Sequence, residues 1–301
     1  MDYSCYIDYR RIKKPLDVEN VEVEIGFGRG DFITKLAKKF PEKTFIGFEI
    51  TETSVKKLLK WINRENIKNV KCVKIDAFFG FQLLFRDKQI QRIYINYPDP
   101  FPKKRDINRR ITRKESLYVL AKKLRDGQTI EIRTDHYPFL EYTLEQAKEL
   151  GCFEISYRKL NVYEPLTKYE AKWLSLGKEL YHITLKKVRE PKYVKVRTIK
   201  EVKVLFPVKL ENVSPDLKKL EETEHKIKEG LNARFFKLWK RENNFLLETV
   251  LSENGFVQKF FIVVKKKENS YIFDVSPFSD VLKTKGVQEV VNYVAFKSIK
   301  E

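Results

Sequence analysis

A glycine-rich turn near the start of the chain carries the first residues whose spacing points to chemistry. The turn, E-I-G-F-G-R-G at residues 24–30, ends a short apolar run at residues 21–25 that predicts a strand. Gly26 and Gly28 allow the backbone to approach a ligand closely where the next helix begins. Asp31 stands where a dinucleotide fingerprint needs a third glycine, which disfavours a pyrophosphate. Glu24, at the acidic end of the strand, instead suits the cationic methionine part of S-adenosyl-L-methionine (SAM), so SAM is the predicted cofactor.

Two more carboxylates follow predicted strands in the same half of the chain. Glu49 lies near the end of a second predicted strand, residues 44–50, where a carboxylate accepts hydrogen bonds from ribose hydroxyls. Asp76 follows a third predicted strand, residues 70–75, and the sequence leaves two roles open for it: facing an adenine or capping the next helix. Both join Glu24 as candidate cofactor ligands, because open α/β sheets bind ligands at the carboxyl ends of their strands.

An unusual proline-rich segment, N-Y-P-D-P-F-P at residues 96–102, follows a fourth predicted strand at residues 90–97. It therefore lies at the carboxyl edge of the predicted sheet. Its three prolines fix the backbone. They can hold Asp99 and an aromatic ring as a rigid wall against a flipped base. Asp99 is the candidate catalytic residue and also a candidate cofactor contact.

A basic strip follows directly, because residues 103–114 contain seven basic side chains and one acidic side chain. Its position beside the candidate catalytic loop predicts that it binds phosphates. The candidate RNA-binding residues are Lys104, Arg105, Arg109 and Arg110. The whole chain holds 61 Lys and Arg against 42 Asp and Glu, a net charge of +19. A thermophile surface enriches both signs together, whereas this imbalance favours a nucleic acid as partner.

Cysteine and histidine usage predicts neither a disulfide framework nor a metal site, because three of each are scattered and no C-x-x-C occurs. No apolar stretch approaches the roughly 20 residues needed to span a bilayer. The N-terminus lacks the apolar core of a signal peptide. We therefore expect a cytoplasmic protein with no metal and no membrane partner, while the sequence leaves the oligomeric state open.

Strand-like and helix-like segments alternate through residues 1–189, which predicts an α/β domain with a doubly wound, mostly parallel sheet. Helices are expected at 32–40, 54–66, 115–124 and 137–150, a fifth strand at 128–134, and a strand pair at 153–160 and 181–188. Residues 190–301 change character and predict a basic C-terminal α+β domain. Alternating Val and basic residues predict an exposed strand at 193–204, and Ser214-Pro215 predicts a helix that runs to Glu229. Further strands are expected at 234–239, 245–251, 256–265 and 271–275, and a closing helix at 287–298.

The run P-D-P-F-P-K-K-R-D-I-N-R-R at residues 98–110 closely resembles a family signature. Bacterial tRNA (guanine-N7)-methyltransferases carry P-D-P-W-x-K-x-R-H-x-K-R-R there. The glycine turn, Thr134-Asp135 and T-K-Y-E at residues 167–170 also resemble family motifs, in the same order, and together they cover roughly residues 20–188. The chain departs from the family pattern at four positions, with Phe101 for Trp, Asp106 for His, Asn108 for Lys and Tyr169 for Phe.

The resemblance implies the Rossmann-like fold of a class I SAM-dependent methyltransferase, with a C-terminal α+β extension. It implies methylation of a variable-loop guanine, position 46 in the usual tRNA numbering, at N7. Near SAM it implies Glu24, Glu49, Asp76 and Asp99. Near the substrate it implies Lys103, Asp135, Thr167, Lys168, Tyr169 and Glu170. Guanine N7 has a free lone pair and needs no general base, so the predicted task is alignment, with Asp99 and either Asp135 or Glu170 holding the base by its N1–H and N2–H donors.

Two other readings keep the SAM fold but change the function. An amino-methyltransferase uses an (N/D)-P-P-(Y/F) loop at the same place; Asn96-Tyr97-Pro98 resembles it loosely, but Asp99 breaks the proline pair. A non-enzymatic RNA-binding protein would retain the fold without turnover, and calorimetry with SAM would distinguish it. A Rossmann dehydrogenase is a third idea, disfavoured by Asp31.

Overall fold

The computed structural model describes residues 4–160 and 168–299, and the chain forms two compact units, Met1–Val196 and Arg197–Glu301. The boundary lies a few residues beyond the one expected after Arg189. Within the first unit, the Lys192 N–H donates to the Leu150 carbonyl oxygen at 3.1 Å. The Tyr193 ring lies edge-on to Tyr118. Contacts of this kind explain why the segment after Arg189 belongs with the first unit.

The first unit is built on a seven-stranded sheet in the order β3-β2-β1-β4-β5-β7-β6. Strands β1 to β5 pair in parallel, whereas β7 is antiparallel to both β5 and β6. The strands are β1 Val21–Ile25, β2 Thr44–Glu49, β3 Val70–Lys74, β4 Ile90–Asn96, β5 Leu124–Thr134, β6 Phe153–Lys159 and β7 Tyr181–Lys187. The helices are α1 Asp31–Lys39, α2 Glu52–Arg64, α3 Ala77–Leu84, α4 Lys114–Lys123, α5 Tyr137–Leu150 and α6 Lys168–Ser175. The predicted doubly wound, mostly parallel sheet is confirmed.

The order of the strands fixes where a ligand can bind. The chain runs outward from β1 to β3 and then returns to β4 on the other side of β1. Each parallel strand in the series ends at the same edge of the sheet, so the loops after β1 and β4 adjoin there. Such a reversal of strand order opens a crevice between those loops. Every residue of β1 is buried, which anchors the glycine-rich turn to the core.

A buried lysine ends β7 at the opposite edge of the sheet. Lys187 is fully buried, and its ammonium contacts the Leu124 carbonyl oxygen at 3.1 Å, Asp126 at 3.0 Å and Glu190 at 3.4 Å. Glu190 also binds Lys88 at 2.9 Å. Hydrogen bonds, that from Lys88 first, lower the pKa of the Glu190 carboxyl to about 2. These charges form one network that joins the start of β5 to the segment after β7.

The second unit is a six-stranded antiparallel sheet in the order β8-β13-β12-β11-β10-β9, packed against one helix. The strands are β8 Val208–Glu211, β9 Glu224–Lys228, β10 Leu231–Arg241, β11 Asn244–Glu253, β12 Phe256–Lys267 and β13 Ser270–Val275, and the helix is α7 Lys285–Lys297. Val287, Val290 and Val294 of α7 pack into the same apolar cluster as Phe235 and Phe260 of the sheet. Four of these strands and the closing helix match the predicted segments.

Two predictions for the second part of the chain are wrong. Residues 193–204 form no strand, and their only backbone bridge joins Glu201 to Thr284. The predicted helix from Ser214 to Glu229 contains only a short 3-10 turn, Lys218–Leu220, followed by β9. Glu222 has a φ of +56°, which a helix cannot continue through, and the next residues pair with β10. Within the described residues, no helix is both long and apolar enough to cross a membrane.

Candidate functional site

The glycine-rich turn after β1 leaves open space over its backbone. Gly26 and Gly28 have φ values of +73° and +55°, in the left-handed region that glycine tolerates best. A Cβ atom at either position would meet nothing within 4 Å. Gly30 differs, because a Cβ there would come within 2.5 Å of Leu58 Cδ1. Gly30 therefore permits packing against α2, whereas the two earlier glycines border free space.

Glu24 lies beneath this turn with one carboxylate oxygen unpartnered. The side chain is buried; its Oε1 accepts a hydrogen bond from Asn96 Nδ2 at 3.0 Å, while Oε2 has no hydrogen-bond partner. Burial raises the pKa of the Glu24 carboxyl to about 7, although Asn96, the Ile33 N–H and the charge of Arg133 act against the rise. A buried carboxylate of this kind is stabilised by a cationic donor. The ammonium group of SAM has that chemistry, so these residues fit the predicted cofactor.

Glu49 and Asp76 end the neighbouring strands in the order that the sequence predicts. Glu49 accepts hydrogen bonds from the backbone N–H groups of Gly28 at 3.1 Å, Ile50 at 2.8 Å and Thr51 at 3.0 Å. It therefore joins the end of β2 to the glycine-rich turn. Asp76 caps α3, since its Oδ1 accepts from the Phe78 N–H at 2.9 Å, and its side chain is exposed. Capping is one of the two roles that the sequence left open for Asp76.

The proline-rich loop after β4 has an irregular, tightly held backbone. Tyr97 and Phe101 have φ values of +52° and +41°, which are uncommon for residues other than glycine. Arg110 is buried beneath the loop and donates to the carbonyl oxygens of Pro100 at 2.7 Å and Phe101 at 3.2 Å. Asp99 lies exposed on the loop and makes no hydrogen bond or ion pair within the described part of the chain. The loop thus presents a free carboxylate from a fixed backbone.

The structure separates the predicted RNA-binding residues into two kinds. Lys103, Lys104, Arg105 and Arg109 are exposed. The Arg109 guanidinium lies 4.5 Å from the centre of the Phe101 ring. Arg110 differs, because its buried guanidinium is engaged by the loop and lies 4.6 Å from the Tyr142 ring. This placement corrects the expectation that Arg110 contacts RNA, since a side chain only 5% exposed cannot reach a phosphate.

Asp106 stands where the family motif has His, and its negative charge reduces the net charge of the basic strip. Its carboxylate lies 3.7 Å from Arg105 and 3.5 Å from Arg109. Both arginines remain largely exposed. Exposed pairs of this kind are weak, so either guanidinium can exchange the carboxylate for a phosphate.

The remaining predicted substrate residues lie at the end of β5 and on α6. Asp135 pairs with Lys178 at 3.0 Å. Glu170 is buried, and its Oε1 accepts a hydrogen bond from the Tyr97 hydroxyl at 3.0 Å and lies 3.5 Å from Arg133 Nη1. Lys168 begins α6 and Tyr169 follows it. Thr167 lies outside the described residues.

Three residues in these contacts were not predicted from the sequence. Asn96 and Tyr97 open the proline-rich segment, yet only Asp99 was selected from it as a functional residue. Arg133 directly precedes Thr134-Asp135 and follows the buried Ile132 near the end of β5. A basic side chain at a buried strand end was the available signal. Its partner on α6 is distant in sequence and was not apparent.

Comparison with known proteins agrees with this arrangement. A family model described as a putative methyltransferase matches residues 19–183. A tRNA (guanine-N(7)-)-methyltransferase of Aquifex aeolicus is 53% identical, covering 97% of this chain and 98% of the relative. The enzyme of the same name from Thermotoga maritima is 33% identical over 88% of this chain and 84% of its own length. That from Thermus thermophilus is 29% identical over 89% and 86%. The chain therefore belongs to the tRNA (guanine-N(7)-)-methyltransferase family.

Proposed function

We propose that this chain transfers the methyl group of SAM to N7 of a guanine in tRNA, at variable-loop position 46. Glu24 carries the proposal, because a buried carboxylate with an unpartnered oxygen lies under an open glycine-rich turn. Family membership supplies the reaction class. When bound, SAM supplies an electrophilic methyl carbon on a positively charged sulfur. The N7 lone pair forms the new bond to that carbon while the carbon–sulfur bond breaks and its electrons remain on sulfur.

The residues on the cofactor side would bind and orient SAM. Glu24 Oε2 would accept a hydrogen bond from the ammonium group, and Gly26 and Gly28 would leave room for the chain of the cofactor. Glu49 already holds the turn in place through the Gly28 N–H, and its carboxylate accepts from the ribose hydroxyls. Asp76, exposed at the start of α3, would border the adenine. The proline-rich loop follows β4, which pairs with β1, so the loop adjoins this site.

The residues on the base side align N7 without removing a proton. Asp99 is available to accept the N1–H and N2–H donors of guanine, because it is exposed and has no partner within the described chain. Asp135 and Glu170 are already held by Lys178 and by Tyr97, so they form a wall beside the base. Correct alignment is the main source of acceleration for a nucleophile that needs no activation.

The exposed basic strip binds the RNA backbone. Lys103, nearest to the loop, lies beside the target nucleotide, while Lys104, Arg105 and Arg109 contact flanking phosphates. Phe101, under Arg109, offers a ring on which a base can stack. Because tRNA is the substrate, we place the protein in the cytoplasm.

Nucleoside mass spectrometry of tRNA incubated with protein and SAM tests the proposal. We expect 7-methylguanosine, and we expect it to disappear when position 46 of the transcript is changed from G to A. N4-methylcytidine or N6-methyladenosine, each methylated on an exocyclic amine, would instead identify an amino-methyltransferase. Binding of tRNA with neither SAM binding nor a methylated nucleoside would identify a non-enzymatic RNA-binding protein.

A further inference from the structure

The first turn of α6 is attached to the ends of β4 and β5 by several side-chain contacts. The Tyr97 hydroxyl donates to Glu170 Oε1 at 3.0 Å, and Arg133 Nη1 lies 3.5 Å from the same oxygen. The ring centres of Tyr97 and Trp173 are 4.7 Å apart in an edge-on arrangement. Lys178, just beyond α6, pairs with Asp135 at 3.0 Å and lies 5.3 Å from the Trp173 ring. All of these partners lie at the carboxyl edge of the sheet.

Burial makes the contacts to Glu170 consequential. Glu170 is 1% exposed, and an ionised carboxylate in such a place needs compensating donors and charge. Arg133 brings the charge and Tyr97 brings a hydrogen bond, which favours a single orientation of the carboxylate. Backbone geometry links the two partners, because the Tyr97 N–H donates to the Arg133 carbonyl oxygen at 2.8 Å. Tyr97 has a left-handed backbone conformation, and its side chain contacts Glu170 and Trp173 of α6.

Arg133 also acts on the cofactor side. Its positive charge opposes the upward shift of the Glu24 pKa, and its guanidinium lies 5.5 Å from the Phe32 ring of α1. One partly buried guanidinium therefore acts on both the carboxylate beneath the glycine-rich turn and the carboxylate of α6.

We propose that Tyr97 and Arg133 are positioning residues, which fix the Glu170 carboxylate and α6 as the wall against which the target guanine is aligned. This inference rests on the proposed function. Neither residue needs to touch the guanine or SAM. Their contribution to the alignment of N7 is expected in kcat. For Tyr97 we also expect an unchanged affinity for SAM, whereas the charge of Arg133 acts on Glu24 as well.

Tyr97→Phe removes only the hydroxyl that donates to Glu170. The chain offers a matched control on β4, just before Tyr97, because Tyr94 donates to Glu22 Oε2 at 2.8 Å, and Glu22 is also buried and paired with Lys43. Tyr94→Phe therefore removes the same kind of bond, tyrosine to buried glutamate, at a place without substrate residues. A hydrogen bond to a charged group is worth enough that we expect about a tenfold lower kcat for Tyr97→Phe. We expect Tyr94→Phe to keep the wild-type kcat.

Three further measurements separate positioning from general stability. The Kd for SAM, measured by calorimetry, should change less than about twofold in Tyr97→Phe. Arg133→Met should lower kcat at least as much as Tyr97→Phe, and Arg133→Lys, which keeps the charge, should recover part of the loss. Hydrogen exchange over residues 168–178 should become faster in Tyr97→Phe and remain unchanged in Tyr94→Phe.

A double-mutant cycle decides whether Tyr97 acts through Glu170. Tyr97→Phe should cost nothing further in kcat when Glu170→Met, which removes the acceptor oxygens, is already present. An equal kcat for Tyr97→Phe and Tyr94→Phe, or fully additive losses with Glu170→Met, would overturn the inference. Failure of the proposed function gives a different result, since the wild-type protein then makes no 7-methylguanosine; that outcome overturns both.

Discussion

Lowering the pH from 7.5 to 6 is expected to weaken SAM binding about eightfold through Glu24 alone. The pKa of this carboxyl is raised to about 7, chiefly by burial. With that pKa, about three quarters of the molecules carry an ionised Glu24 at pH 7.5, and about one tenth do so at pH 6. The ammonium group of SAM requires the ionised form. It remains mostly protonated over this range, because α-amino groups titrate near 8.

The ligand-free protein should respond to pH in the opposite direction. A carboxyl whose pKa is higher in the folded chain than its ordinary 4.5 stabilises the fold fully below that value. The stabilisation is lost as the pH rises through about 7. A shift of this size corresponds to roughly 3 kcal/mol of the free energy of unfolding. Raising the pH therefore costs stability in the ligand-free chain at this residue while it strengthens SAM binding.

Calorimetry in buffers of different ionisation enthalpy measures both the affinity and the protons released. At pH 6.5 we expect about 0.8 proton released for each SAM bound. Glu24→Gln is the control, because it keeps the shape of the side chain and cannot titrate. It also separates Glu24 from His136, which caps α5 at the same edge of the sheet. A wild-type affinity that is constant from pH 6 to 7.5, or the same pH dependence in Glu24→Gln, would refute the reasoning.

Three other perturbations test separate parts of the site and of the chain. Asp99→Asn should lower kcat by about 100-fold in the nucleoside assay, because alignment is lost, and should leave the melting temperature unchanged, because Asp99 is exposed; near-normal turnover would contradict its role. Arg110→Met should destabilise the chain by about 2 kcal/mol in denaturant unfolding, because two loop carbonyls lose a charged donor. Arg109→Met should leave the stability unchanged. It should instead reduce the slope of log K against log salt concentration for tRNA binding by about one. If Arg110→Met instead reduces the salt dependence of tRNA binding and leaves stability unchanged, Arg110 is an RNA-binding residue. A chain truncated after Val196 should still bind SAM and methylate tRNA at moderate temperature, because every candidate site residue precedes the cut. We propose that the second unit adds tRNA affinity or heat stability. A truncated chain that folds but does not bind SAM would exclude this division of roles.

Periodicity in the sequence predicted most elements of the first unit but missed the helices α3 and α6. The explanation for α3 is its composition. That helix, A-F-F-G-F-Q-L-L at residues 77–84, is apolar on nearly all sides and therefore has no polar face to mark a helical period. Phe78 and Phe81 are fully buried within it. In the second unit the sequence predicted a helix where the structure has β9. Strong helix formers precede and fill β9, but alternate residues, His225 and Ile227, turn inward, and pairing with a later strand determines the outcome.

Candidate carboxylates were found from the sequence because their positions follow from the strands. Glu24, Glu49 and Asp76 each lie at or just after a strand end, which is a local property of the chain. For two adjacent basic residues, by contrast, the sequence does not indicate which side chain will be buried. Arg109 and Arg110 look alike in the sequence, and only the folded loop, whose carbonyls turn inward, decides that Arg110 is buried and Arg109 is not. The contact between Tyr97 and Glu170 depends on a docking of α6 that no local pattern encodes.

The charge network around Lys187 has a consequence for behaviour on heating. Hydration of charged groups becomes less favourable as temperature rises, so the cost of burying the Lys187 ammonium falls while its attraction to Asp126 and Glu190 persists. Apolar burial gains no comparable advantage at high temperature. Glu190 is the first residue beyond Arg189, so a cut after Arg189 removes a shared acid from the network and a cut after Val196 does not. The chain cut after Arg189 should therefore be the less stable of the two, and the difference should grow as the chains are heated.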